Sequence, residues 1–419
     1  MNNLKLSLAS GEILYVEREG GAEESMSSAF TASQILEAVK APNIIPRYRI
    51  FVLYPDETIN YEIPPEDIQS GGSYSENYQD GQRRSLSFSL INDDGKYLVG
   101  INKLWEGTRL RLDLGVQNYL GTTIWVEKGV FVITKANCSE DSNGNKITQI
   151  TAGDKFMLFE GKTGVLDDTT EISIGAKIRD VINSILVTDP GNGFPLDQRS
   201  IIYNANFQGK TVQSSISKSA GDTYGSILLE LGTQLSSEVF YNSQGNLTFI
   251  PTAETTSDND KPLLCEVEAE KGDYDSLSFD IDFSSIVNKV IVTGSSNSSS
   301  SGVYKAVAVN DDPKSPLCYQ RIGYHTGSVI NDSNITSDVL AKERAEYELR
   351  KVLMMKSSVS FNIAFNPLVT VNNLVSVTNP FFEMTSKRFL IQSVSCSLDY
   401  SGTMSLSLTS LDNIPFLSR

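Results

Sequence analysis

The chain has one histidine and four cysteines among 419 residues, and each scarcity closes off a class of chemistry. A Ser-His-Asp triad or a His-containing metal site would have to be built around the single imidazole. That imidazole belongs to His325, in the stretch Gly323-Tyr324-His325-Thr326-Gly327, and reads as an exposed loop residue. Cys138, Cys265, Cys318 and Cys396 form no C-x-x-C pair, which favours reduced, unpaired thiols over a disulfide framework or a zinc site. No run approaches the ~20 apolar residues of a membrane-spanning helix, so no membrane anchor is expected. Between Met1 and Gly11 apolar residues alternate with polar ones, unlike the continuous apolar region of a secretion signal. Synthesis and folding in the cytoplasm are expected.

Positive charge is also short, with 35 Lys+Arg against 51 Asp+Glu and a net charge of −16. Binding to nucleic acid through counterion release needs clustered cations, so a chain this acidic is not expected to grip DNA. Apolar material is plentiful: hydrophobic residues make up 40% of the chain, enough for packed cores and too much for wholesale disorder. At ~150 residues per domain, the length allows about three domains.

Motifs for enzyme chemistry are missing. Neither G-x-S-x-G nor a cysteine-nucleophile signature occurs, and the Gly20-Gly21 and Gly71-Gly72 pairs fit neither G-x-G-x-x-G nor a P-loop. Glycosidases need only two carboxylates about 5 to 10 Å apart. Asp167-Asp168, Asp311-Asp312 and the Glu266, Glu268, Glu270 alternation nevertheless sit where solvation explains them. Asp141-Ser142-Asn143-Gly144-Asn145 faintly resembles a calcium loop, but Lys146 and Ala152 replace the required Gly and Glu, so a hairpin turn is expected. No catalytic, cofactor-binding or metal-binding residue is assigned, no cofactor is implied, and the chain is not expected to be an enzyme.

Architecture is far more legible. From Pro46 to about Gly153, apolar residues recur at every second position in short runs, as in Tyr48 to Leu53, Leu86 to Leu90, Leu110 to Leu114 and Val130 to Ile133, the pattern of antiparallel strands. From Leu166 the period changes. Ile174, Ile178, Val181, Ile182 and Ile185 predict one amphipathic helix, and Tyr224, Ile227, Leu228, Leu231 and Leu235 a second with Asp222 as N-cap. A hairpin follows, Val239 to Tyr241 against Leu247 to Ile250. Strands return after Leu277, interrupted by a helix capped by Ser337 that buries Ala341, Ala345, Leu349, Val352 and Leu353.

The expected fold is mainly β with an α+β insert: an N-terminal arm over 1–45, a first β-barrel domain over 46–160, an inserted α+β domain over 161–262, and a second β-barrel domain with one helix over 263–419. Two β regions around an insert suggest a duplicated barrel, although no letter-for-letter repeat is apparent. The arm has one helical stretch near Ser33 to Lys40 and no domain-sized core, and is expected to wrap a neighbour.

Several segments carry a resemblance. The helix ending Ala345 to Lys351, the strand Ser357 to Phe365, Asn366-Pro367-Leu368 leading to Val375-Ser376-Val377, and the closing runs Phe389 to Val394 and Leu398 to Leu408 resemble the end of the baseplate hub proteins of contractile-tailed bacteriophages and phage-tail-like particles. Ile286 to Gly294 resembles the opening strand of that family's second barrel, Trp105 to Leu112 and Gly129 to Ile133 its paired first-barrel strands, and Tyr224 to Pro251 its inserted helix-hairpin unit. The chain departs from the pattern at Asn372-Asn373, where the family often has Gly-Asp. The resemblance implies that both barrels are tail-tube-like β-barrel domains and that the chain is a homotrimer whose paired barrels build a six-barrel ring. Such a ring would join a sixfold tail tube protein above to a threefold central spike protein below, beside baseplate wedge proteins, in the virion's tail. DNA would pass without specific binding. A cell-wall-binding or hydrolytic tail module and the tip protein of a noncontractile tail remain alternatives.

Overall fold

Strands dominate because β-branched and aromatic residues alternate with serines and threonines along most of the chain. The computed structural model describes residues 4–7, 13–18, 45–100, 104–117, 122–203, 207–251, 261–281, 284, 286–297, 302–332, 335–354, 357–399 and 402–411. The first β half comprises β1 (Leu4–Ser7), β2 (Ile13–Arg18), β3 (Ile45–Leu53), β4 (Ile59–Ile63), β5 (Ile68–Asn77), β6 (Arg84–Ile91), β7 (Arg109–Gln117), β8 (Thr122–Glu140) and β9 (Lys146–Asp154). A middle unit follows, with α1 (Met157–Glu160), β10 (Thr170–Ile172), α2 (Ile178–Leu186), β11 (Ile202–Tyr203), β12 (Ile216–Lys218), α3 (Tyr224–Gln234), β13 (Ser237–Tyr241) and β14 (Leu247–Pro251). The remaining elements are β15 (Leu263–Glu268), β16 (Tyr274–Ile281), β17 (Lys289–Asn297), β18 (Gly302–Val309), α4 (Tyr319–Ile322), β19 (Ile330–Asn331), α5 (Asp338–Met354), β20 (Ser357–Ala364), β21 (Leu374–Asn379), β22 (Met384–Leu398) and β23 (Thr403–Ser410).

One 15-stranded sheet runs through both β regions in the order β16-β20-β23-β22-β5-β6-β9-β8-β7-β3-β4. The two halves meet where β22 pairs antiparallel with β5, Ser393 opposite Asn77 through Leu398 opposite Gly72. A single hydrophobic cluster spans them, from Tyr48 and Ile50 to Leu406 and Leu408.

The halves repeat one strand scheme. The ladders β5·β6, β6·β9, β8·β9 and β7·β8 reappear as β16·β20, β20·β23, β22·β23 and β21·β22. In the ladders β8·β9 and β22·β23 the register slips at Thr134 and at Gln392. Aligning these slips reveals a residue repeat the periodicity had hidden: Phe131-Val132-Ile133-Thr134-Lys135-Ala136-Asn137-Cys138-Ser139 against Phe389-Leu390-Ile391-Gln392-Ser393-Val394-Ser395-Cys396-Ser397. Similarly, Ser85-Leu86-Ser87-Phe88 matches Ser358-Val359-Ser360-Phe361.

Where β5 turns directly into β6, the second half inserts residues 282–356 between β16 and β20. Lys289–Asn297 therefore does not open the second barrel as expected. It pairs with β18 and β19 in a separate three-stranded sheet, because Val290 and Val292 are buried with the Ala341, Ala345, Leu349 and Leu353 stripe of α5 in a cluster of their own.

The middle unit has its own core of α2, α3 and the β13–β14 hairpin, including Ile182, Ile185, Leu228, Leu231 and Phe249. Its helices start later than expected. Ile174 is 63% exposed and precedes α2, and Thr223 rather than Asp222 caps α3 by accepting the N–H of Ser226. Asp222 instead accepts the N–H of Ser219 in the preceding turn. Ser337 caps α5 as expected, its Oγ accepting the N–H of Leu340 at 3.2 Å. Part of the N-terminal arm folds back onto this chain: β2 pairs with β8 over Thr122–Val126. The helix expected near Ser33 to Lys40 lies outside the described residues.

Candidate interface: a buried charged joint

The turn between β5 and β6, Tyr78 to Arg83, reaches the middle unit, α5 and the second half at once. Gly81 adopts φ +79° and donates its N–H to Val239 O at 2.8 Å. Asp80 accepts the Val239 N–H at 3.1 Å and the Tyr347 hydroxyl at 3.1 Å, and lies 3.5 Å from Lys351 Nζ. Arg83 pairs with Glu238 at 2.9 Å and lays its guanidinium 3.5 Å from the Phe240 ring centroid. Glu238 also accepts from the Tyr78 hydroxyl and from Asn372 Nδ2 at 3.4 Å.

Asn372 lies in the turn before β21. Its φ of +64° lies in the left-handed region that glycine enters freely and asparagine tolerates best among the other residues.

Behind this turn a second layer of charge is sealed from water. Glu76 is fully buried and is held by Arg84 Nη2, by the Thr370 hydroxyl at 2.8 Å and by the Tyr74 hydroxyl at 3.3 Å. Burial alone would raise its pKa, but Arg84, Lys128 and the Thr370 bond outweigh it and hold the carboxyl below its ordinary range. Lys128 is the extra residue of a bulge, because Leu112 faces Gly129 while Asp113 faces Glu127. The bulge re-aims its side chain, so Nζ crosses to Val369 O in the second half at 3.1 Å. Asp154, at the end of β9, accepts the N–H groups of Arg83 at 2.8 Å, Arg84 at 3.0 Å and Phe156 at 3.1 Å.

A third cluster fixes the middle unit to the first half. Lys155 Nζ, fully buried, lies 2.5 Å from Glu57 and 2.6 Å from Asp197, and donates to Gly245 O at 3.0 Å. Burial lowers its pKa while the two carboxylates act against that shift. Tyr241 donates to Asp197 at 2.6 Å, and burial followed by that carboxylate drives its pKa well above the ordinary value. Arg109 and Arg199 reach Glu57 from either side. Removing one member of such a set strands its partner without water and costs about 3–5 kcal/mol. The arrangement fixes the middle unit against the first half.

Periodicity could not have found these groups, since each sits in a turn, a bulge or a strand end and most of their partners are distant in sequence, 42 residues away for Lys155 and Asp197 and 294 for Glu76 and Thr370. One signal was available: charged residues such as Arg83-Arg84 and Asp154-Lys155 interrupt otherwise apolar and hydroxyl-rich strands.

His325 stands exposed, its Nε2 3.2 Å from Ile322 O. The buried residue beside it is Asn288, which accepts the His325 N–H at 2.8 Å and donates to Leu317 O and Gly323 O. Cys138 is exposed and the other three cysteines are buried, all as free thiols. Asp141 to Asn145 forms the β8–β9 turn, with Asp141 accepting the N–H groups of Asn143 and Asn145. Among the described residues no cluster of three or more His, Cys, Asp or Glu side chains is placed to hold a metal ion, and no helix is long and apolar enough to cross a membrane.

The fold is mainly β, with two tail-tube-like halves around an α+β unit. Solved structures share it. The prophage MuSo2 43 kDa tail protein from Shewanella oneidensis aligns over 88% of this chain and 100% of its own, with a TM-score of 0.58 at 14% identity. A tail protein from Neisseria meningitidis MC58 aligns over 88% and 99%, with a TM-score of 0.59 at 11% identity. The Francisella PdpA-VgrG complex, lidded, matches over 90% of this chain and 54% of that one, with a TM-score of 0.51 at 10% identity. Residues 314–414 also match a family described as a domain of unknown function (DUF5048). Comparison with curated protein sequences gives no match.

Proposed function

We propose that the chain is a non-enzymatic structural hub of a phage-type tail baseplate, with no residue acting on a substrate, cofactor or metal. Three copies form a ring of six β units that joins a sixfold tube above to a threefold spike below, with wedge proteins outside, in a virion assembled in the host cytoplasm. The observation that carries this reading is the duplicated strand scheme joined edge to edge by β5 and β22. One chain thereby presents two equivalent units in fixed orientation, as a threefold object needs in order to match a sixfold one. The buried charged joint supports it, because a connector must hold that orientation under load. The division into arm, first β half, middle unit and second β half, the last enclosing the α5 insert, belongs to the same proposal.

A net charge of −16 suits a channel that DNA crosses without adhering, since like charges repel. Light scattering of the purified chain, alone and with its spike partner, is expected to give three times 46.0 kDa. A monomer under both conditions would refute the hub.

A further inference from the structure

Within one chain, the contact that joins the halves is used only once, although both of its sides exist twice. On the edge of β22 facing away from β23, β21 pairs as far as Leu390 and β5 takes over from Ser393 to Leu398. The equivalent edge of β8 is half filled. There β7 pairs with Thr123 to Val132, and among the described residues no strand pairs with Thr134 to Glu140 on that side.

The strand equivalent to β5 is β16, which pairs only with β20 among the described residues. Both β5 and β16 shift register before a serine-aromatic pair, Ser73-Tyr74 in one and Ser278-Phe279 in the other. Burial records the difference between them. Tyr74, in register with Cys396, is fully buried, whereas Phe279 is 44% exposed. Cys396 is buried, and its counterpart Cys138 is exposed. Among the described residues each chain thus presents one unfilled acceptor edge and one donor strand paired on a single side, of the kind that already fit each other internally.

We propose that β16 of one chain pairs antiparallel with Thr134–Glu140 of β8 in a second copy, in the register that β5 and β22 use within the chain. This deepens the hub reading and rests on it. Transferring the register places Cys138 opposite Phe279, Asn137 opposite Asp280, and Ser139 opposite Ser278. The contact is heterologous, each chain giving β16 and receiving at β8, so repetition closes a ring only if the rotation permits. Because the contact between chains copies the one within a chain, the proposed three copies give six equivalent steps. Pairing also covers two free sheet edges that would otherwise template aggregation.

Disulfide trapping tests the register in the full chain. Phe279→Cys places a thiol opposite the native Cys138. A second variant, Asn137→Cys with Asp280→Cys and Cys138→Ser, traps the adjacent pair at two exposed positions. Opposed residues in antiparallel strands alternate between Cα separations of about 5.5 and 4.5 Å, both within disulfide reach. Under copper-phenanthroline oxidation, non-reducing gels are expected to show covalent dimers and closed trimers from at least one pair. Val303→Cys, on the exposed face of β18, should give none with Cys138. A trimer by light scattering that yields no crosslink from either pair would overturn the edge pairing and leave the hub standing. A chain that stays monomeric, with or without its spike partner, would overturn both.

Discussion

Asp154 gives the charged joint its clearest pH dependence. Burial pushes its pKa up to about 6, outweighing the backbone N–H groups and the Arg84 charge that favour the carboxylate. A carboxyl whose folded pKa lies above its ordinary value of 3.8 stabilises the fold fully below that value and loses the contribution as pH rises through 6. The window is worth about 3 kcal/mol at 1.36 kcal/mol per unit. Asp154→Asn cannot titrate. Urea unfolding should therefore show the unsubstituted chain losing stability relative to the Asn variant between pH 4 and 6.5, and parallel profiles would contradict the assignment. The sequence marks Asp154 only as a charge at the end of a strand; its burial, and with it the shift, depends on the β5–β6 turn whose Arg83 and Arg84 N–H groups it accepts.

The helices and strands show which physical signals a sequence carries. The stripe of α5 and its Ser337 cap were legible because both lie within about one turn of each other along the chain. The α3 cap was misplaced by one residue, since Asp222 and Thr223 both suit the role and only the preceding turn decides between them. Thr223→Ala should cost about 1 kcal/mol in denaturant unfolding and Asp222→Ala less. The reverse order would show that the cap had been misassigned. Lys289–Asn297 read as a barrel strand because alternation records burial on one face without naming the partner that covers it. The match between Phe131–Ser139 and Phe389–Ser397 went unseen for a related reason. Only identical residues separated by matching bulges mark it, and bulges are invisible until strands are paired.

At the scale of the whole molecule, two halves with one strand scheme share a continuous sheet and a single apolar cluster. The middle unit rests on that sheet through buried ion pairs, and α5 through Tyr347 and Lys351, both of which reach Asp80. Most of this plan, mainly β with a mixed unit between β regions, could be read from alternation and helical periodicity alone. The single sheet could not, since β5 and β22 are more than 300 residues apart and no local pattern specifies such a pairing. The central claim is that this duplicated body forms a threefold ring on the axis of a tail. An electron-microscopy reconstruction of the tail that incorporates the chain tests it most directly. The account predicts six β-unit densities built by three chains between tube and spike; finding the chain off the axis, as a peripheral fibre or receptor-binding lobe, would contradict it.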